Sequence, residues 1–187
     1  MDASRYPTEH YGNTSGVSSP PFKLRPPTLD DVEPYTAFLA DPEVTVWLDD
    51  FFQRPITRSQ VVALFGQEAW CRWAIESEGA FVGLTALVEP DLARGAARFF
   101  IVIGERRLWG RGLGTAVLLR VLEHGFHSLG LRKINSDYLE PNEGSRIIHE
   151  RAGFVVEGCL RQDVWRRGGW VNRILLSILR DEYFDRK

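Results

Sequence analysis

Arg107 to Thr115 reads RLWGRGLGT, with glycine at positions 110, 112 and 114. A β-rich run, FFIVI at 99–103, stands before it. After it Val117, Leu118, Val121, Leu122, Gly125 and Phe126 recur at three- and four-residue spacing, the period of a helix from about Thr115 to Leu129. The order is strand, bare loop, helix. It places unsatisfied backbone N–H groups at a helix N-terminus, where the partial charge is positive. Glycine opens backbone angles closed to other residues and lets an anion approach closely. A phosphate-bearing ligand explains the pattern most economically. Two familiar phosphate loops do not fit. The P-loop needs Lys-Ser/Thr after its last glycine, and none follows here. The dinucleotide fingerprint needs glycine at 115, which is Thr115, and a parallel unit near the start of its domain.

Outward from the loop, Arg72 to Glu76, Ala80 to Val88 and Ala96 to Ile103 read as an antiparallel meander, turned tightly at Glu78-Gly79 and loosely over 89–95. Lys133 to Leu139 is a further strand, closing a β-loop-α-β unit. A short helix over about 143–151 stops at Gly153, and two last strands flank Arg166-Arg167-Gly168-Gly169. Towards the N-terminus, Phe22 to Arg25 is a short strand. Thr28 then caps a helix whose apolar face carries Val32, Tyr35, Phe38 and Leu39. A second helical stretch after Asp41-Pro42 holds Val44, Trp47 and Leu48. A third runs from Thr57 through Val61, Leu64, Phe65 and Trp70. The fold class is α+β, a mixed sheet with helices on its faces.

The chain has 187 residues, enough for one domain with a sizeable core. Hydrophobic content of 44% and a net charge of −2 are ordinary for a globular protein and give no global pull towards nucleic acid or an anionic membrane. The longest apolar runs are strand-sized, short of a membrane span. Residues 1–21, rich in Ser, Gly, Pro, Asn and Thr, read as a disordered arm without a secretory signal, leaving 22–187 as a single domain. Cys71 and Cys159 each stand in apolar sequence and read as buried thiols, consistent with a cytoplasmic location. His124 and His127 have i, i+3 spacing but no third metal ligand near them in sequence, so no metal is expected.

Arg107, Gly110 and Gly112 match the pattern [Q/R]-x-x-G-x-[G/A]. IVIG precedes it, and NEGSRIIHERAGF, an N-x-x-S-x(7)-G-F pattern, follows at 142–154. With FKLRPPTLDDVEPY at 22–35 and LLSILRDEYF at 175–184, the chain over about 22–184 resembles the GNAT family of acetyl-CoA-dependent N-acetyltransferases. The similarity is greatest to the branch with the ribosomal-protein and spermidine enzymes. The resemblance implies the GNAT fold, a mostly antiparallel mixed sheet with a central splayed parallel pair and helices on both faces. It implies that the CoA pyrophosphate lies on the amides of Leu108, Trp109, Gly110, Arg111, Gly112, Leu113, Gly114 and Thr115; Arg107 and Arg111 either add charge to the phosphates or are solvated surface. The pantetheine arm would add beside Ile101, Val102 and Ile103, with Asn142 and Ser145 contacting it from the late helix.

The same resemblance raises the catalytic candidates. Seven residues after Asn142 the family often has Tyr, taken to protonate the departing thiolate; here His149 stands there. Either His149 keeps the acid role, or it packs under the cofactor without proton chemistry. A frequent Glu in the motif strand is replaced by Arg98, which leaves Glu89 and Tyr138, besides Glu140, as substitute bases. On the acceptor side, Trp47, Phe51 and Phe52 in WLDDFFQRP could wall a pocket that Asp49 and Asp50 make attractive to an ammonium. The expected activity is direct acetyl transfer to the primary amine of a small molecule: a polyamine, an amino sugar or an amine antibiotic. A protein N-terminus or lysine as acceptor, and a non-catalytic acyl-CoA sensor, stand as alternatives. A homodimer is common in the family; no nucleic acid or membrane partner is expected.

Overall fold

A computed structural model describes residues 18–66 and 69–186. Seven strands form one sheet: β1 (Phe22–Arg25), β2 (Ala69–Ser77), β3 (Ala80–Asp91), β4 (Ala96–Ile103), β5 (Lys133–Leu139), β6 (Val155–Arg166) and β7 (Gly169–Leu179). Their spatial order is β1-β2-β3-β4-β5-β7-β6, antiparallel throughout except for the central β4/β5 pair, which is parallel. The helices are α1 (Val32–Leu39), α2 (Pro42–Thr45), α3 (Arg58–Gly66), α4 (Leu113–Glu123), α5 (Glu143–Ala152) and α6 (Arg180–Asp185).

Alternation along β4 assigns the two faces. Phe99, Ile101 and Ile103 point to a core built with α4, where Val117, Leu118, Val121, Leu122 and Phe126 are buried. Phe100 and Val102 point the other way, to a second core with Val32, Tyr35 and Leu39 of α1 and Val61 of α3. The parallel pair follows from the glycine loop and α4, which carry the chain over the sheet and back in a β-loop-α-β unit. The expected meander is present with its Glu78-Gly79 turn, where both residues have positive φ. Among the described residues no helix is long and apolar enough to cross a membrane.

Several expectations need correction. The third helix ends at Gly66, and Trp70 belongs to β2. Helical spacing in Leu64-Phe65 cannot by itself locate the change to strand. The second helical stretch is a single turn, α2, capped by the Asp41 carboxylate on the Glu43 N–H at 2.9 Å; Trp47 and Leu48 follow it. Cys71 is buried but Cys159 is exposed, because β6 is an edge strand with mostly open residues. Most of the expected arm, residues 1–17, lies outside the described residues. Its last part is anchored, with Ser77 Oγ donating to the Pro21 carbonyl at 2.7 Å.

Candidate active site

The two parallel strands pair only through Ala96↔Lys133, Ala97↔Ile134 and Arg98↔Asn135. Beyond Arg98 they part, and each continues with its outer neighbour, β4 with β3 and β5 with β7. A wedge opens at their C-terminal ends. Among the described residues, the backbone of Phe99–Ile103 has no strand partner on its β5 side. This edge is free to pair with an extended ligand.

The glycine loop stands at the wide end of the wedge. Gly110 has φ +71° and Gly112 φ +83°, left-handed angles that a side chain disfavours. Gly112 is the N-cap of α4, and among the described residues no side chain caps this N-terminus. Ala116 N–H bonds back to the Gly112 carbonyl at 3.0 Å, so the amides of Leu113, Gly114 and Thr115 precede the helical ladder. Gly114 is bare for another reason: a Cβ there would stand 3.2 Å from Ile148 Cγ2, so the glycine lets α5 close on α4. Trp109 Nε1 donates to the Ile103 carbonyl at 2.8 Å and ties the loop to the end of β4.

A groove of about 560 Å³ runs along this loop into the wedge. Of the residues expected on the cofactor, Ile101, Val102, Ile103, Leu108, Trp109, Gly110, Gly112, Leu113, Gly114, Thr115, Asn142 and Ser145 line it. Arg107 and Arg111 do not; Arg107 pairs with Glu78 at 2.8 Å instead. The arginines on the groove are Arg151 of α5 and Arg167 of the β6–β7 turn, the latter 5.1 Å over the Trp47 ring and paired with Glu43 at 2.9 Å. Arg167 stands out in the sequence only as part of a basic, Trp-flanked hairpin turn, and Arg151 does not stand out although it shares α5 with Ser145.

Deeper in, the wedge joins Trp47, Asp49, Arg98, Ser136, Asp137, Tyr138, His149 and Arg173 around a small polar cavity. Asn142 caps α5, its Oδ1 accepting from Ser145 N–H at 3.1 Å. One turn on, His149 is buried beside Phe99, Tyr138 and Phe154. Its Nδ1 lies 2.7 Å from the Ser145 carbonyl, which can only accept, so Nδ1 carries the proton. Its Nε2, 2.9 Å from Ser136 Oγ, then accepts from that hydroxyl in the neutral ring. Burial pushes the imidazole down to about 4, against the opposing effects of the Ser145 carbonyl and Asp137. Burial also raises the Tyr138 hydroxyl. Glu89 has φ +51° at the irregular end of β3 and pairs with Arg98 at 2.8 Å.

The acceptor candidates divide. Trp47 and Asp49 border the wedge, and Asp49 also reaches the neighbouring cavity with Phe51 and Phe52. Asp50 turns away, bound to Arg166 at 2.7 Å. Arg166, expected on an exposed turn, is buried and also donates to the Leu48 carbonyl at 2.9 Å, fastening the last hairpin to this segment. His124 and His127 pack edge-on to rings, His124 on Trp73 and His127 on Phe184.

Residues 22–155 match the family model described as the GNAT acetyltransferase domain. The spermidine N(1)-acetyltransferase of Escherichia coli K12 is 29% identical over 151 residues, 81% of this chain and 72% of that protein. The prophage-derived uncharacterized N-acetyltransferase YokL of Bacillus subtilis is 28% identical over 110 residues, 59% of this chain and 62% of that protein. Among solved structures, the Vibrio cholerae spermidine N-acetyltransferase in complex with CoA and spermine superposes with a TM-score of 0.77 at 22% identity, covering 87% of this chain and 98% of that one. With its splayed parallel pair and a family match over most of its length, the chain belongs to the GNAT acetyltransferase family and is an acyltransferase.

Proposed function

We propose that this chain transfers an acetyl group from acetyl-CoA directly to the primary amine of a small molecule. The observation that carries the reading is the row of amides at Leu113–Thr115, uncapped by any side chain, opening on a groove that ends where β4 and β5 part. The fit is chemical as well as spatial: anion-binding amides at one end, apolar walls from Ile101, Ile103 and Ile148, and an unpaired strand edge between. The amides would hold the diphosphate, Arg151 and Arg167 would add charge, and the edge at Ile101–Ile103 would align the pantetheine arm. Bound acetyl-CoA supplies the thioester carbonyl. That a spermidine enzyme is related to this chain, and that a structural neighbour holds CoA and spermine, support a small amine as acceptor.

The chain's own residues divide the proton work. Tyr138, like any tyrosine, keeps its proton at neutral pH, burial raises its hydroxyl further, and it serves as donor to the departing sulfur rather than as base. Glu89 lines the neighbouring cavity, paired with Arg98 at 2.8 Å, and would take the amine's proton only through an intervening water. His149 is neutral above its lowered pKa and donates to the Ser145 carbonyl, so its role is to hold Ser136 and the start of α5 in place. The test is to incubate the full chain with acetyl-CoA and a panel of primary amines while following free thiol, and to titrate CoA by calorimetry. Amine-dependent thiol release is expected. Heat of CoA binding with no turnover over a broad panel would leave a sensor instead, and no heat at all would remove the cofactor reading.

A further inference from the structure

On the face of α1 and α3, the wedge opens into a cavity of about 380 Å³ that shares Asp49, Arg98 and Phe100 with it. Tyr35, Phe51, Phe52, Leu84, Val88 and Phe100 form its apolar walls. Phe52 stacks on Phe100 with ring centroids 6.4 Å apart, and Phe51 meets Phe52 edge-on at 5.2 Å. The carboxylates on the wedge and this cavity are Asp49, Asp137 and Glu89, and each already faces an arginine. Glu89 pairs with Arg98 at 2.8 Å. Asp137 pairs with Arg173 and stands 3.7 Å from Arg98. Asp49 pairs with Arg173 at 3.3 Å. Arg173 also holds Asp163 at 2.7 Å, and Arg72 on the wall donates to the Phe65 carbonyl at 3.1 Å.

We infer that the acceptor is a monoamine with an aromatic-sized apolar body, an arylalkylamine, and not a polyamine. The inference rests on the acetyl transfer proposed above and names its substrate class. A polyamine brings further ammonium groups, and each must leave water for a carboxylate. Here every carboxylate on the path has a guanidinium partner that stays charged at any physiological pH. A second ammonium would have to compete with a guanidinium for its carboxylate, and behind the wedge it would meet the apolar walls. One amino group at the wedge with an aromatic body behind it instead meets rings and branched aliphatic walls and buries apolar area. Arg98, at the join of the two cavities, is the specificity-determining residue. In the transfer the N–C bond forms and the thioester C–S bond breaks. Of the two protons the ammonium loses, one ends on the CoA thiol and one in solvent.

The experiment measures thiol release by the full chain at saturating acetyl-CoA with 2-phenylethylamine, n-butylamine and spermidine. The expected kcat/KM for 2-phenylethylamine exceeds that for spermidine at least tenfold, with n-butylamine between them. A value for spermidine equal to or above that of 2-phenylethylamine overturns the inference and leaves the transferase reading standing. Turnover of none of the three, while another amine of the broad panel is acetylated, overturns the inference alone; no turnover over the whole panel, with CoA heat present, overturns both. In Arg98→Gln the Glu89 carboxylate is released, and the spermidine to 2-phenylethylamine ratio is expected to rise tenfold or more. Arg98→Lys, which keeps the charge, is expected to stay near the wild-type ratio. An unchanged ratio in a folded Arg98→Gln variant overturns the role of the ion pairs.

Discussion

An imidazole set among Phe99, Tyr138 and Phe154 has little to solvate a positive charge, and this fixes what His149 can do. Its pKa of about 4 in the folded chain lies below the ordinary 6.5. The unfolded chain therefore binds a proton that the folded chain refuses, in the window between these values. The contribution to stability is whole above pH 6.5 and is lost as pH falls towards 4, a loss of roughly 2–3 kcal/mol by pH 4.5. Urea unfolding at pH 7 and 4.5 is expected to show a smaller acid-induced loss in His149→Gln than in wild type, whatever the variant's stability at pH 7. Equal losses would contradict the buried neutral ring. Tyr138, stacked on that ring, carries the other residue-level expectation. Tyr138→Phe keeps the packing and removes the proton, so kcat is expected to fall by about 10²-fold while the KM for acetyl-CoA holds. A kcat within twofold of wild type would remove Tyr138 as donor.

At the scale of elements, the close approach of α4 and α5 sets where the N-terminus of α4 stands. Gly114 leaves room for Ile148, and β-branched bulk there must push the two helices apart. Gly114→Val is expected to cost about 1–3 kcal/mol in urea unfolding and to weaken CoA binding with it. Unchanged stability would mean that the helices have slack. Gly104 poses the same question on the other face, where a Cβ would fall 2.0 Å from Phe38 Cγ of α1. The strands were legible because Glu78-Gly79 and Arg167-Gly168 are turn chemistry and the runs between have β-rich composition. Helix α4 was legible from its periodic apolar face. The end of α3 was not, since Leu64, Phe65 and Trp70 keep helical spacing across a change to strand. The exposure of Cys159 was hidden too, because β6 lies at the sheet edge only through the crossing order β5-β7-β6.

Over the whole molecule, the sheet divides two apolar cores and the wedge cuts between its parallel strands, so the site is where distant parts of the chain converge. That is why the loop could be read as a motif while its surroundings could not. Arg98, Glu89, Asp137 and Arg173 form one charge network from three regions of sequence, and nothing local marks their pairing. The groove likewise gathers α2, β4, α4, α5 and the β6–β7 turn. A ligand held by all five opposes global unfolding and not merely local fraying. CoA at one hundred times its dissociation constant contributes about 2.7 kcal/mol. For a chain of this size that is a rise in Tm of roughly 5–10 °C. Gly112→Ala places a Cβ at φ +83°, a strain of about 1–2 kcal/mol at the N-cap. Its own Tm is expected to drop, and its CoA-induced rise to shrink to a few degrees at most at the same concentration, because the amides of Leu113–Thr115 turn away from the groove. Thermal melts of both proteins with and without CoA decide the matter. A wild-type Tm unmoved by saturating CoA, or a full rise in the variant, would show that the diphosphate does not rest on these amides.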